Sequence, residues 1–206
     1  MIKVNPNRME LLKLRKRLAI AQRGHKLLKD KLDELMRHFL DVLNEMGALR
    51  KEVEAELSRY YLLADRTFSR SPTGFLEEVL QTPPYGLEVV EEKKVVLNLP
   101  LPRYQINLQE RPHSYSLSQT PILFDQTISV FREIVERLFR LAALEKSLLL
   151  LAEEIEKTKR RVNALENTVI PQLEEAIKFI TQKLDEMDRE TRTRLMKVKE
   201  MLESAI

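Results

Sequence analysis

No cysteine and no tryptophan occur in this chain, and glycine appears only four times in 206 residues. Without thiols there is no disulfide framework and no thiolate metal site, so the simplest expectation is an intracellular protein. No glycine-rich phosphate loop is present. The longest purely apolar run, Leu148 to Ala152, is far too short to cross a bilayer, and the opening Met1-Ile2-Lys3-Val4-Asn5-Pro6 lacks the apolar core of a signal peptide. A soluble, cytoplasmic chain is expected, one still able to belong to a membrane assembly. The histidines, His25, His38 and His113, are far apart in sequence, with no companion ligands at metal-binding spacing. No Ser-His-Asp motif occurs, and the pairs Glu153-Glu154 and Asp185-Glu186 read as solvated helix faces. Neither catalysis nor a cofactor is expected.

What the chain does contain is apolar spacing. Leu11, Leu14, Leu18, Ala21, His25, Leu28, Leu32, Leu35, Phe39, Val42, Met46, Leu49 and Val53 alternate steps of three and four without a break. That is a heptad seam, which requires a partner helix. His25 on the seam reads as a polar residue fixing register, whereas His38 lies off it. The first helix is expected from about Asn5 to about Phe68, with Asn5 as its cap, Pro6 in its first turn and a stop at Ser71-Pro72 and Gly74. Gly24 and Gly47 lie inside it, either as tolerated surface residues or as points of close approach by a neighbour.

The last third, helical from about Asp125 to Ser204, follows a different repeat. Val162, Leu173, Leu184 and Leu195 recur every eleven residues, as do Leu165, Ala176, Met187 and Val198, and Val169, Ile180, Thr191 and Leu202. An eleven-residue period favours a straight or slightly right-handed course, against the left-handed demand of the heptad. A lightly twisted compromise is expected, with Pro171 kinking or opening the helix locally. Between the helices, residues 69–124 hold seven of the nine prolines, which excludes helix over most of that stretch. A short helix at about Gly74 to Leu80 and a β-hairpin are expected there, with strands at Leu87 to Val90 and Val95 to Leu97 and a turn within Glu91 to Lys94. The fold class is therefore mainly α: a long antiparallel two-helix coiled coil, roughly 95 and 120 Å along its two helices at ~1.5 Å per residue, carrying a small β-hairpin segment.

Two surfaces stand out. Residues 1–31 hold ten Lys or Arg against only Glu10 and Asp30. Consecutive Arg15, Lys16 and Arg17 point about 100° apart, so the charge forms a collar suited to a surrounding socket more than a stripe suited to nucleic acid. Arg8, Lys13, Arg15, Arg17 and Arg23 are the candidate socket contacts. Leu138, Leu141, Leu144, Leu148 and Leu151, with Tyr60 and Tyr61 at a similar level of the other helix, exceed what one seam can hide. They are the candidate docking residues for another protein, shared with the proline-rich middle segment folding over them.

Asn5-Pro6-Asn7-Arg8, Arg17-Leu18, Ala21 and Gly24-His25-Lys26-Leu27-Leu28-Lys29-Asp30-Lys31 resemble the N-terminal signature of the D subunit of V-type and A-type rotary ATPases. Arg160-Arg161-Val162-Asn163-Ala164-Leu165-Glu166, Ile170-Pro171, Ile180, Leu184-Asp185-Glu186 and Arg189-Glu190 resemble its C-terminal signature. The resemblance implies a non-catalytic central rotor axle that transmits torque between an A/B catalytic head and the membrane ion-translocating ring. The implied partners are the A/B hexamer, the small F subunit of the central stalk and a funnel-shaped protein docked on the membrane ring. The implied location is the cytoplasmic side of the membrane. The rival reading from composition is a free-standing structural or nucleic-acid-associated coiled coil, which would bind DNA with a steep salt dependence.

Overall fold

The computed structural model describes residues 5–69, 71, 74, 85–110 and 121–203. Helix α1 spans Arg8–Phe68, strand β1 Tyr85–Val96, strand β2 Leu99–Glu110 and helix α2 Ile122–Ala164. A π-helical turn, Leu165–Val169, joins α2 to helix α3, Ile170–Glu203. The short helix expected near residues 74–80 falls, apart from Gly74, outside the described residues.

The start of α1 lies later than the sequence pattern suggests. Asn7, not Asn5, is the cap: its Oδ1 accepts the backbone N–H of Met9 at 3.3 Å, and its carbonyl accepts that of Leu11 at 3.0 Å. Both asparagines have the right side chain. Only Asn7 has free helical N–H groups two and four residues on, because the helix begins after Pro6 rather than on it. At the other end α2 begins at Ile122, ahead of the expected Asp125, because the carbonyl of Pro121 accepts the N–H of Phe124 at 2.8 Å and closes the first turn.

The chain forms two compact units, Met1–Glu34 with Ile155–Ile206, and Leu35–Glu154. In the first, Arg8 meets Asp188 at 3.2 Å and His25 approaches Glu166 at 3.5 Å. Partner numbers fall as α1 numbers rise, so the pairing is antiparallel. Leu14, Leu173, Ala176 and Ile180 are its buried core, flanked by Leu11, Leu18, Ala21, Ile177 and Leu184. Fully burying each large aliphatic side chain is worth about 1.5–3 kcal/mol.

The second unit repeats the antiparallel arrangement. Glu45 pairs with Arg140 at 2.7 Å, Glu56 with Arg137, and the Tyr60 and Phe131 rings lie 5.4 Å apart. Leu35, Val53, Ile134 and Leu151 fill its seam. The thirteen heptad positions from Leu11 to Val53 are all buried or half-buried. The same three-four spacing runs on through Glu56, Tyr60, Leu63 and Thr67, also buried or half-buried. Thr67 and Thr127 are buried with their hydroxyls 2.9 Å apart, each also within reach of its own i−4 carbonyl, Leu63 O at 2.9 Å and Leu123 O at 2.8 Å. Two hydroxyl protons face three acceptor contacts, so whichever threonine donates to the other gives up its own i−4 carbonyl.

The hairpin differs from its sequence reading in length and turn position. Glu91 to Lys94 lie within β1, and the turn is Leu97-Asn98. Both turn residues adopt positive φ, 51° and 67°, the geometry of a two-residue type I′ loop. In such a loop the flanking pair Val96–Leu99 is hydrogen-bonded, so the alternate pairs Val95–Pro100 and Lys93–Pro102 are not. Each proline thus sits where its missing N–H would point away from β1, which explains how a segment containing prolines forms a strand.

The two repeats meet at the π turn. Buried or half-buried residues Leu151, Ile155, Thr158, Val162 and Leu165 keep heptad-like steps along α2. The next two steps, to Val169 and Leu173, are both four. There the N–H of Ile170 bonds the carbonyl of Leu165, an i→i−5 bond. This wide turn takes up the extra residue of the longer step and stands just ahead of Pro171, which has no N–H to give and whose ring needs space around the i−4 carbonyl. The expected local opening is this turn, and the first double step of four in the packed stripe falls on it; the next, Ala176–Ile180–Leu184, lies within regular α-helix.

Gly24 and Gly47 are points of tolerance and not of close approach, for a Cβ built on either meets nothing within 4 Å. Gly24→Ala and Gly47→Ala are therefore each expected to stabilise the protein by about 0.5–1 kcal/mol through helix propensity. A rise in thermal midpoint by circular dichroism checks this; a fall in either variant would mean that a neighbour fills the space.

Candidate docking surfaces

The basic collar divides into two groups. The Arg8 guanidinium faces Asp188 at the open end of the seam, and Lys13 sits 3.8 Å from Glu10 on its own helix. Arg15, Arg17 and Arg23 are exposed and make no ion pair among the described residues. The latter three carry unneutralised charge to the surface, whereas Arg8 is engaged within the fold. His25 is different again. Its Nε2 is buried and 3.5 Å from Glu166 Oε2, without hydrogen-bond geometry between them.

Past Asp188, α3 has no α1 residue opposite it among the described residues, because α1 starts at Arg8. The inner stripe nevertheless continues. Leu173 and Ile180 are buried, but Leu195, Val198 and Leu202, at the following positions of the repeat, are 47–64% exposed, as is Met187 just before the end of the pairing at 53%. This uncovered stripe is a surface that spacing could have revealed only together with the start of α1.

In the second unit the apolar band separates into seam, cover and surface. Leu148 and Leu151 are 8% and 0% exposed and belong to the seam, so they are not available for docking in this fold. Their positions face α1, and the sequence count of leucines did not distinguish inward from outward directions. Leu138, Leu141 and Leu144 are half-buried. The hairpin covers part of the band: Tyr104 meets Phe139 edge-on at 6.4 Å. A groove of about 700 Å³ runs between β2 and the two helices, lined by Val42, Leu101, Tyr104, Arg140 and Leu144 among others. What remains exposed is an aromatic cluster. Tyr60 is half-buried and its hydroxyl pKa is raised, first by burial and then by Tyr61, so it stays neutral and protonated. Tyr61 lies 6.0 Å from it and is 66% exposed, beside Leu62, with Phe131 at 43%. The sequence reading missed Phe131, which only the antiparallel register brings opposite Tyr60.

Among the described residues no helix is long and apolar enough to cross a membrane. Paired antiparallel helices, a hairpin inserted between them and unneutralised surfaces on the flanks define an α-helical coiled-coil protein. A family model for the ATP synthase D subunit matches residues 10–200, and the chain belongs to that family. It is 46% identical to the V-type ATP synthase D subunit of Thermoanaerobacter sp. (strain X514) over 204 residues, 98% of each chain. It is 47% identical to that of Fusobacterium nucleatum subsp. nucleatum over 208 residues, covering 98% of this chain and 97% of the relative. The V-type ATP synthase D subunit of Clostridium botulinum (strain ATCC 19397 / Type A) is 46% identical over 210 residues, 98% of this chain and 96% of its own.

Proposed function

We propose that this chain is the central rotor shaft of a V/A-type ATPase, a non-catalytic component carrying torque between the A/B catalytic head and the membrane ion-translocating ring. Family membership over nearly the whole chain carries the reading, and the antiparallel seam supports it mechanically. Turning one end of a paired helix against the other loads many interlocked seam contacts at once, so the torque is distributed and not concentrated in one bond. The exposed collar, Arg15, Arg17 and Arg23 foremost, with the uncovered α3 stripe, is the part assigned to the head socket. The cluster of Tyr60, Tyr61 and Phe131 is assigned to the small F subunit, and the funnel-shaped protein on the ring is the remaining partner. The complex lies on the cytoplasmic face of the membrane, with this chain peripheral to the bilayer.

Reversing Arg15, Arg17 and Arg23 to glutamate in the assembled complex tests the head assignment. Three exposed contacts at about 0.3–1 kcal/mol each predict a fall in ATP turnover between roughly fivefold and a hundredfold. Arg8→Glu acts differently, since it places like charges beside Asp188 and loosens the end of the seam. Unchanged turnover and coupling in the triple variant would remove the collar from the contact. In the same preparations Tyr61→Ser with Phe131→Ser is expected to release the F subunit, and its undiminished co-purification would exclude that docking site.

A further inference from the structure

The two outer edges of the β-hairpin are not equivalent. β2 is the inner strand: Tyr104, Ile106 and Leu108 are half-buried, and β2 supplies most of the hairpin's lining of the groove against α1 and α2. β1 is the outer strand, with Leu87 51%, Val89 41%, Val90 42% and Val95 66% exposed. The ladder parity set by the Leu97-Asn98 turn points the N–H and C=O groups of Leu87, Val89, Glu91, Lys93 and Val95 away from β2. On the outer edge of β2 two of the corresponding positions are Pro100 and Pro102, which offer no donor. The β1 edge contains no proline, and the described sheet has only these two strands. A two-stranded ribbon is marginal alone, and an open edge without proline is a template for a further strand.

We infer that the outer edge of β1, from Leu87 to Val95, receives an extended segment of a partner protein as a third strand. Its chemistry follows from the side chains beside which it would lie. Glu88, Glu91 and Glu92 are exposed, as are Lys93 and Lys94, and none makes an ion pair among the described residues. Like charges on adjacent strands destabilise and opposite charges stabilise. The added strand therefore carries basic residues opposite Glu88, Glu91 and Glu92, acidic residues opposite Lys93 and Lys94, and aliphatic residues opposite Leu87, Val89, Val90 and Val95. Main-chain bonds supply the affinity and this pattern the specificity. The inference stands independently of the rotor reading, because it depends only on the hairpin.

The test uses the full chain, ¹⁵N-labelled, with a nine-residue probe peptide of valine, lysine and glutamate in that complementary order. Saturable binding is expected, with slowed amide exchange at Leu87, Val89, Glu91, Lys93 and Val95 and little change at the intervening residues, whose N–H groups already face β2. A charge-reversed peptide, and one N-methylated on alternate residues, should each bind at least about tenfold more weakly. Val89→Pro, which removes one outward N–H and leaves the β1–β2 ladder intact, should lower affinity similarly while the amide of Gln105, hydrogen-bonded opposite Val90 in that ladder, keeps its exchange rate. Absence of binding overturns the inference. So does binding indifferent to N-methylation and to Val89→Pro, which would place the peptide on side chains elsewhere.

Discussion

Ile180→Asp is expected to unfold the unit formed by Met1–Glu34 and Ile155–Ile206, whereas Leu202→Asp, at the same position of the eleven-residue repeat, should change stability by no more than about 0.5 kcal/mol. Ile180 is 0% exposed and packs with Leu14, Leu173 and Ala176; Leu202 is 63% exposed. Truncating a side chain like Ile180 to alanine costs about 2–5 kcal/mol through lost burial and the cavity left behind. An aspartate adds the desolvation of a carboxylate with no partner in the apolar core, at several kcal/mol more. Together these approach the whole stability of a domain, about 5–15 kcal/mol. Denaturant titration followed by circular dichroism measures the difference. Equal losses at the two positions would mean that the outer stretch of α3 is packed in the free protein, contrary to the fold described.

The second large effect concerns register. Deleting Lys178 should abolish packing of the same unit, because every later residue of α3 turns by about 100° relative to Leu173 and Ala176. Thr181 then takes the place of Ile180, and Asp185 that of Leu184, among Leu11, Leu14 and Leu18. Deleting Thr168 in a Pro171→Ala background should do far less. The π turn contains one residue more than an α turn, so its removal lets Ile170 bond Leu165 as i→i−4 while leaving Leu173, Ala176 and Ile180 in place. A loss within about 1–2 kcal/mol relative to Pro171→Ala alone is expected, against complete loss for the Lys178 deletion. Comparable melting losses for both deletions would show that the turn does not absorb the extra residue.

Several of these features were legible in the sequence for a physical reason. An unbroken three-four alternation over more than forty residues can be buried only against another helix, and helix-breaking prolines concentrated between residues 69 and 124 leave the two terminal segments to supply it. The signature residues around Gly24-His25 and Val162-Asn163-Ala164-Leu165 carried the family. The candidate site was less legible. Arg8 and Arg15 look alike in sequence, but only Arg8 lies against Asp188. Leu148 and Leu149 are neighbours, yet the first is 8% and the second 61% exposed, a difference of direction around one helix. The sequence pattern puts the hairpin turn too early because charged Glu91 to Lys94 resemble a loop, whereas Leu97 and Asn98 reveal themselves only by their positive φ.

Sequence alone determined that two long helical segments exist, which of their faces is apolar, and that positive charge gathers near one end, since each is a property of a single segment's spacing and composition. Tertiary structure decided which stretch of each apolar face is covered, where the heptad and the eleven-residue repeat are reconciled, and which cations remain unpaired. Those depend on where one helix stops alongside another and on which groups come within a few ångströms, and no periodicity within a single helix encodes either.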